Sequence, residues 1–128
     1  MSDRFRQRLS EFTRALSRLQ EAILQPQNEF MRDSVIQRFE FCYELSWKTM
    51  KLWLELKEIE ALNAKDTLKE ALSQKLIEDG NGWSEMHRMR NLTSHAYDEE
   101  LAKEVDAFIR AHACSLFHQV LERLNHDA

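Results

Sequence analysis

Apolar residues recur every three or four positions in the first part of the chain, as they do on one face of an amphipathic helix. The six positions of this apolar stripe are Phe5, Leu9, Phe12, Leu16, Leu19 and Ile23. Ser2 or Asp3 is suited to cap the start of the helix, because its side-chain oxygen can accept a hydrogen bond from a backbone N–H group. The only proline lies within residues 25–28, and it predicts that the first helix ends there.

A second and more apolar helix is predicted to begin between Glu29 and Asp33. One of its faces carries Val35, Phe39, Cys42, Leu45 or Ser46, Met50 and Trp53, and that face is widened by Phe41, Tyr43, Trp47 and Leu54. Such a broad apolar surface is typical of a helix that is buried against several neighbours. We therefore expect this helix to lie centrally, with its aromatic residues in the core or at a subunit interface.

Two shorter helices are predicted next. The first is expected over residues 64–78, and Gly80 and Gly82 mark the loop that ends it. Trp83 then opens a short helix that turns Met86 and Met89 inward.

The last predicted helix is capped by Asp98 and has acidic residues in its positive first turn. Its inward positions are Leu101, Val105, Phe108, Ile109, Leu116, Val120 and Leu124. The whole pattern predicts an all-α fold, an up-and-down helical bundle of four to five helices in a single domain over residues 1–128.

Composition and charge narrow the class of protein. Two glycines and one proline leave little turn chemistry for β structure. No apolar run reaches the roughly 18 residues of a membrane span, and charges begin at Asp3, so we expect a cytoplasmic protein. Cys42 and Cys114 have apolar neighbours and are predicted to be packed free thiols. The net charge of -4 argues against a non-specific nucleic-acid binder but leaves room for a local basic patch.

The densest polar cluster runs from Arg90 to Tyr97. On a continuous helix Arg90, Ser94 and Tyr97 would share one face, and Asn91 and His95 would lie on a neighbouring one. Arg90 and His95 are five residues apart, about 140° around a helix, so they converge only if the helix bends or ends, or if a second copy contributes. That spacing indicates a dimer.

The cluster contains the groups needed for cleavage of an RNA phosphodiester. The imidazole of His95 can donate or accept a proton at neutral pH, and the forked guanidinium of Arg90 can bind two phosphate oxygens. Arg88 and His87 could add positive charge for the RNA backbone. The same residue types also occur in capping and salt-bridge networks at helix ends, and the spacing alone leaves both interpretations open.

The order Arg90, four residues, His95, one residue, Tyr97 resembles the motif of the HEPN superfamily, and most closely its HepT-like branch, the nucleotidyltransferase substrate-binding proteins. Residues 39–48 resemble the central helix of the same branch, so that the likeness covers residues 35–100. Two positions depart from the pattern. Met89 stands where relatives usually have an acidic residue, and Glu58 stands where a glycine is expected in a loop.

The resemblance implies a homodimer in which two Arg/His motifs face each other across a cleft. It also implies a partner, a minimal nucleotidyltransferase that forms a hetero-oligomeric toxin–antitoxin pair with the HEPN protein. Arg90 and His95 would be catalytic in a metal-independent ribonuclease toxin, and AMP transfer to Tyr97 would silence it. Asn91, Ser94 and Arg88 would support RNA binding.

No cofactor is implied by the resemblance. No metal site is expected either, because no two of the five histidines have the i, i+4 spacing that places two ligands on one helical face. The alternative function is a non-catalytic substrate-binding subunit of a nucleotidyltransferase complex. Both functions predict a dimer.

Overall fold

The structure is a computed structural model that describes residues 2–127. Its helices are α1 (Asp3–Ile23), α2 (Glu29–Leu56), α3 (Ala64–Ser73), α4 (Gly80–Leu92), α5 (Glu99–Phe108) and α6 (Cys114–His126). A π-helical segment, Ile109–Ala113, joins α5 to α6 into one continuous rod. Over the described residues there are five rods and no strand, so the predicted all-α bundle is confirmed.

The central position of α2 is confirmed, because α2 contacts each of the other five helices. The aromatic ring of Phe117 on α6 links the layers around it. Its centroid lies 5.9 Å from that of Phe12 on α1, 6.1 Å from that of Phe39 on α2 and 5.9 Å from that of Trp83 on α4. The bundle therefore closes on one aromatic core.

The predicted helix starts are confirmed by their caps. Ser2 Oγ accepts from the N–H of Phe5 at 3.1 Å, and Asp98 Oδ1 accepts from the N–H groups of Glu100 and Leu101 at 3.0 and 3.2 Å. The cysteines are free thiols, as predicted, and burial raises the pKa of both. No helix within residues 2–127 is both long and apolar enough to cross a bilayer.

Of the two positions expected for Phe41, the core or a subunit interface, the core is excluded, since 57% of this residue is exposed. Two residues along a helix correspond to about 160° of rotation, so Phe41 faces away from the buried Phe39. The side of α2 that carries Phe41 looks outward.

The predicted end of the third helix at residue 78 is wrong, because α3 ends at Ser73. Lys75 takes a left-handed conformation with φ of 62°, and the N–H of Leu76 closes the turn on the carbonyl of Ala71 at 2.9 Å. Glycine usually fills such a position, so the lysine gave no sequence signal of the helix end.

Gly80 and Gly82 were predicted to lie in a loop, but they form the first turn of α4. Asp79 caps this helix by accepting from the N–H of Gly82 at 2.8 Å. A Cβ atom at residue 82 would lie 2.5 Å from Asp79 Oδ2. Glycine is therefore required here by the close approach of the capping carboxylate.

Candidate active site

The polar cluster lies where α4 meets α5. Arg90 is in the last turn of α4, and residues 93–95 continue as a single 3₁₀ turn. Tyr97 follows just before the cap of α5. The α-helix thus ends between Arg90 and His95, one of the conditions under which the two side chains were expected to converge.

Arg90 is held by two carboxylates of α2. Its Nε donates to Glu44 Oε1 at 3.1 Å, and its Nη1 lies 3.5 Å from Glu40 Oε2. Nη1 also donates to the hydroxyl of Thr93 at 3.0 Å, and that hydroxyl donates to the carbonyl of Arg90 at 2.6 Å. With its side chain 29% exposed, the guanidinium is fixed in orientation yet reachable from solvent.

Glu44 is itself oriented by a neighbour. Trp47 Nε1 donates to Glu44 Oε2 at 3.0 Å, so that each carboxylate oxygen has one partner. The ordered chain of side chains therefore runs from Trp47 through Glu44 to Arg90. A guanidinium with two hydrogen-bonded or ionic partners is held in a more defined orientation than one in a single exposed ion pair.

The role of Glu40 and Glu44 was missed by the sequence reasoning, although both lie in the stretch that carries the family resemblance. They are separated from Arg90 by 50 and 46 residues, and no local pattern links them to it. The available signal was their spacing, since two carboxylates one turn apart repel each other on one helical face and are favoured when a cation lies beside them.

His95 and Tyr97 are open to solvent. Tyr97 is 86% exposed, and its ring meets that of His95 edge to face with the centroids 6.1 Å apart. Within residues 2–127, no hydrogen bond joins His95 to Arg90. The two ends of the motif thus present different surfaces, one anchored on α2 and one accessible.

Asn91 and Ser94 lie on the exposed surface of the same turn, and the Ser94 hydroxyl donates to the carbonyl of Asn91 at 3.0 Å. Arg88 is exposed and pairs with Glu85 and Glu104, with nitrogen–oxygen distances of 3.1 and 3.3 Å. Hydrogen bonds to Glu85, then to Glu104, raise its pKa. The charge of Arg88 is therefore balanced by two carboxylates on the protein itself.

The side-chain hydrogen bond of His87 is made to α2, not to a residue of the motif. Its Nδ1 lies 2.8 Å from the hydroxyl oxygen of Tyr43, a residue that is 1% exposed. Burial, and then the charge of Glu44, raise the pKa of Tyr43. The side chain of His87 thus satisfies a buried hydroxyl, which is a structural task.

Met89, the first departure from the family pattern, is 3% exposed and belongs to the core. Glu58, the second, has a φ of 62°, and the N–H of Ile59 closes the turn on the carbonyl of Leu54 at 2.9 Å. The position where a glycine was expected is therefore a left-handed turn after α2. Residues 2–127 contain no group of three histidine, cysteine or acidic side chains that could hold a metal ion.

An all-α bundle that carries an Arg–x₄–His–x–Tyr motif at the end of its fourth helix defines a protein of the HEPN class. A model of the family described as nucleotidyltransferase substrate binding protein like matches residues 7–126. The chain belongs to this family and is a HepT-like member of the HEPN superfamily. The resemblance inferred from the motif is confirmed.

Individual relatives support this assignment. The chain is 41% identical over 101 residues to a Haemophilus influenzae protein described as a probable ribonuclease HepT. This match covers 72% of this chain and 68% of that protein. A solved H. influenzae structure, described as the fold of a substrate binding domain of a nucleotidyltransferase, has a TM-score of 0.81 and 34% identity. That match covers 91% of this chain and 98% of the other.

A Thermus thermophilus structure has a TM-score of 0.81 and 32% identity, over 88% of this chain and 98% of that one. A Shewanella oneidensis complex of a tri-AMPylated HEPN toxin with an MNT antitoxin has a TM-score of 0.80 at 19% identity, over 98% and 99% of the two chains. At that identity the likeness concerns the fold alone.

Proposed function

We propose that this chain is a metal-independent endoribonuclease, the HepT-like toxin of a two-component HEPN/MNT toxin–antitoxin pair. Arg90 and His95 are its catalytic residues. The observation that carries the proposal is the end of α4, where a guanidinium oriented by two carboxylates is followed by a solvent-open imidazole. The 41% identity to a probable ribonuclease supports it.

The reaction proposed is attack of a ribose 2′-hydroxyl on the adjacent phosphorus. The 2′-oxygen–phosphorus bond forms, the bond from phosphorus to the 5′-oxygen breaks, and the products are a 2′,3′-cyclic phosphate and a 5′-hydroxyl. One imidazole accepts the proton of the 2′-hydroxyl and another donates a proton to the departing 5′-oxygen. Arg90 stabilises the negative charge that grows on the phosphoryl oxygens, while Asn91, Ser94 and Arg88 bind the flanking backbone.

This mechanism requires two imidazoles, and the motif of one chain supplies only one, that of His95. A homodimer in which two motifs face each other supplies the second imidazole. In that case the functional unit is the dimer.

Mixing the wild type with an inactive variant tests the shared site. If each cleavage needs the His95 imidazoles of both copies, a mixed dimer of wild type and His95→Ala is inactive. Random exchange of subunits at equal concentrations leaves about half of the wild-type subunits in wild-type dimers, so the activity of the wild-type protein should fall to about half. Unchanged activity after verified exchange would mean that one imidazole is enough.

A separately encoded minimal nucleotidyltransferase is the proposed partner and silences the toxin by AMP transfer to Tyr97. The phenol oxygen bonds to the α-phosphorus of ATP, pyrophosphate leaves, and the phenol proton is released. Tyr97 is 86% exposed, which supports access to a second enzyme, and the Shewanella toxin of the same fold is AMPylated. The added negative charge and bulk would block an RNA phosphate.

Mass spectrometry after co-expression with the nucleotidyltransferase tests this step. We expect a gain of one or more AMP units on the peptide that contains Tyr97, and none in Tyr97→Phe. Tyr43, the only other tyrosine, is buried and serves as an internal control. Modification that persists in Tyr97→Phe would overturn the assignment.

A non-catalytic substrate-binding subunit is the second candidate function. It is favoured by the balance of charge at Arg90, whose guanidinium already has two carboxylate neighbours, and by the description of the solved H. influenzae relative. Purified, unmodified protein should cleave RNA in EDTA if it is the ribonuclease, and His95→Ala should not. A protein that binds the nucleotidyltransferase but leaves RNA intact would be the binding subunit.

A further inference from the structure

A groove of about 330 Å³ lies between α1 and α2. Three arginines form its rim and three apolar side chains its floor. They are Arg14, Arg18 and Arg38, and Ala15, Phe41 and Leu45. Phe41, which lies outside the core of the protomer, contributes a large exposed ring.

The positive charge of this rim is not compensated. Within residues 2–127, Arg14, Arg18 and Arg38 form no ion pair with a carboxylate. Glu11, the acidic residue that also lines the groove, is bonded to Arg8 at 3.2 Å. Three unpaired guanidinium groups around one small groove are unusual in a chain whose net charge is -4.

Arg38 is fixed at the rim. Its Nη1 donates to the backbone carbonyl of Arg18 at 2.7 Å, which ties α2 to α1. A guanidinium has five N–H donors, so this bond leaves most of them available for another acceptor. The positive rim is therefore partly preorganised by the fold.

The groove and the Arg90 motif lie on opposite flanks of the same exposed side of α2. Glu40 and Glu44 contact Arg90, and the residue that follows each of them, Phe41 and Leu45, lines the groove. The two sites are therefore separated by about the 10 Å width of one helix. An extended ligand bound in the groove can reach across α2 to the motif.

We propose that the groove between α1 and α2 binds single-stranded RNA beside the phosphate that is cut, with the arginines on its phosphates and Phe41 stacked on a base. This inference rests on the proposed ribonuclease function. Arginine forks match phosphate oxygens, and an exposed aromatic ring can stack on an unpaired base. An acidic helix of a protein partner would instead need a row of apolar anchors along two turns, which this short floor lacks.

Binding of an uncleavable 2′-O-methyl single-stranded RNA, followed by fluorescence anisotropy over a series of salt concentrations, tests the groove. The double variant R14Q/R18Q removes two rim charges. We expect its Kd to rise about tenfold and the slope of log Kd against log salt to fall by about 0.7 for each phosphate that is no longer bound. Phe41→Ala should raise Kd by about five- to a hundredfold without changing that slope, because it removes stacking and no charge.

The matched control is R4Q/R6Q, which removes the same charge from α1 at exposed residues outside the groove. It should leave Kd and the slope near the wild-type values. Equal weakening by both double variants would overturn the proposal, because it would reflect overall charge only. Circular dichroism melting checks that all variants fold alike.

Two further readouts separate the alternatives. A dinucleotide too short to span α2 should be cleaved at the same rate by R14Q/R18Q and by the wild type, because it does not reach the groove. This comparison separates a loss of RNA binding in the groove from a loss of the ribonuclease activity itself. If no variant of the protein cleaves any RNA, the binding comparison still decides the groove. Loss of the dimer in Phe41→Ala, or loss of nucleotidyltransferase binding with RNA binding unchanged, would assign the groove to a protein contact instead.

Discussion

The two ends of the Arg90–Tyr97 motif differ in how the protein holds them. Arg90 is anchored on α2 by Glu40 and Glu44 and is mostly buried, whereas His95 and Tyr97 stand on an exposed turn that follows α4. Arg90 thus contributes to the packing of the bundle as well as to the candidate site, whereas His95 and Tyr97 make no such packing contribution. Substitutions at the two ends should therefore separate activity from stability.

The largest expected effect is that of His95→Ala on RNA cleavage. Loss of a positioned general acid or base should lower kcat by about 10²–10⁴-fold, while the melting temperature stays unchanged because the side chain is exposed. Cleavage in EDTA, quantified on a gel, measures this. His112→Ala, a change of another exposed histidine on the π-helical segment, is the control. Equal losses in both variants would contradict the role of His95.

Arg90→Ala should lower stability as well as activity. It leaves two partly buried carboxylates facing each other without their cation, and we expect a loss of about 1–3 kcal/mol in the free energy of unfolding. Urea denaturation measures it. Arg88→Ala, which removes only an exposed ion pair, should destabilise the fold much less. A Glu40→Gln/Glu44→Gln background should restore stability to Arg90→Ala without restoring activity.

Glu44→Gln tests whether anchoring of the guanidinium matters for the chemistry. A glutamine has one acceptor oxygen and turns an NH2 donor toward the other partner, so it cannot accept from both Arg90 Nε and Trp47 Nε1. We expect kcat to fall about tenfold while KM does not rise. A rise in KM with kcat unchanged would mean that Glu44 affects RNA binding only. Glu55→Gln, on the exposed end of α2, is the matched control.

Tyr43→Phe breaks the hydrogen bond to His87, near Arg90 but outside the proposed chemistry. We expect a loss of about 1 kcal/mol in stability and no change in kcat. Burial, and then the charge of Glu44, raise the pKa of Tyr43 in the folded state. The contribution of the neutral Tyr43 hydroxyl to the free energy of unfolding is therefore present below the unfolded pKa of about 10 and is lost as the pH rises above that value. Tyr43→Phe should therefore show a smaller alkaline loss of stability, and an unchanged loss would contradict the burial argument.

The smallest effect is expected far from both ends of the motif. Glu58 and Lys75 both have a φ of 62°, which glycine adopts at little cost. Glu58→Gly should stabilise the fold by about 0.5–1 kcal/mol and leave cleavage unchanged. Glu60→Gly, two residues further along, provides the comparison and should not stabilise. A destabilised Glu58→Gly would mean that the glutamate side chain has a role of its own.

Local signals were sufficient for most of the fold. Ser2 and Asp98 were identified as caps because their side chains satisfy adjacent N–H groups, and the apolar stripe of α1 follows from its spacing. The end of α3 could not be predicted in the same way. Its left-handed residue is Lys75, and a lysine does not indicate a helix end as a glycine does.

The site was predictable only in part. The order of Arg90, His95 and Tyr97 along the chain was enough to locate the motif, because all three lie within eight residues. The partners of Arg90 come from α2, and only tertiary packing brings Glu40 and Glu44 to it. Whether Phe41 lies in the core or faces outward could not be decided from the sequence, because the apolar pattern of α2 covers so much of its circumference.

The turn that bears Tyr97 is short and closed, since the N–H of Asp98 donates to the carbonyl of His95 at 3.0 Å. A nucleotide joined to the Tyr97 oxygen would be tethered within one turn of the imidazole and could not diffuse away. A tether of that length corresponds to a local concentration of about millimolar or more. A covalent inhibitor so placed would need little affinity of its own to keep RNA out.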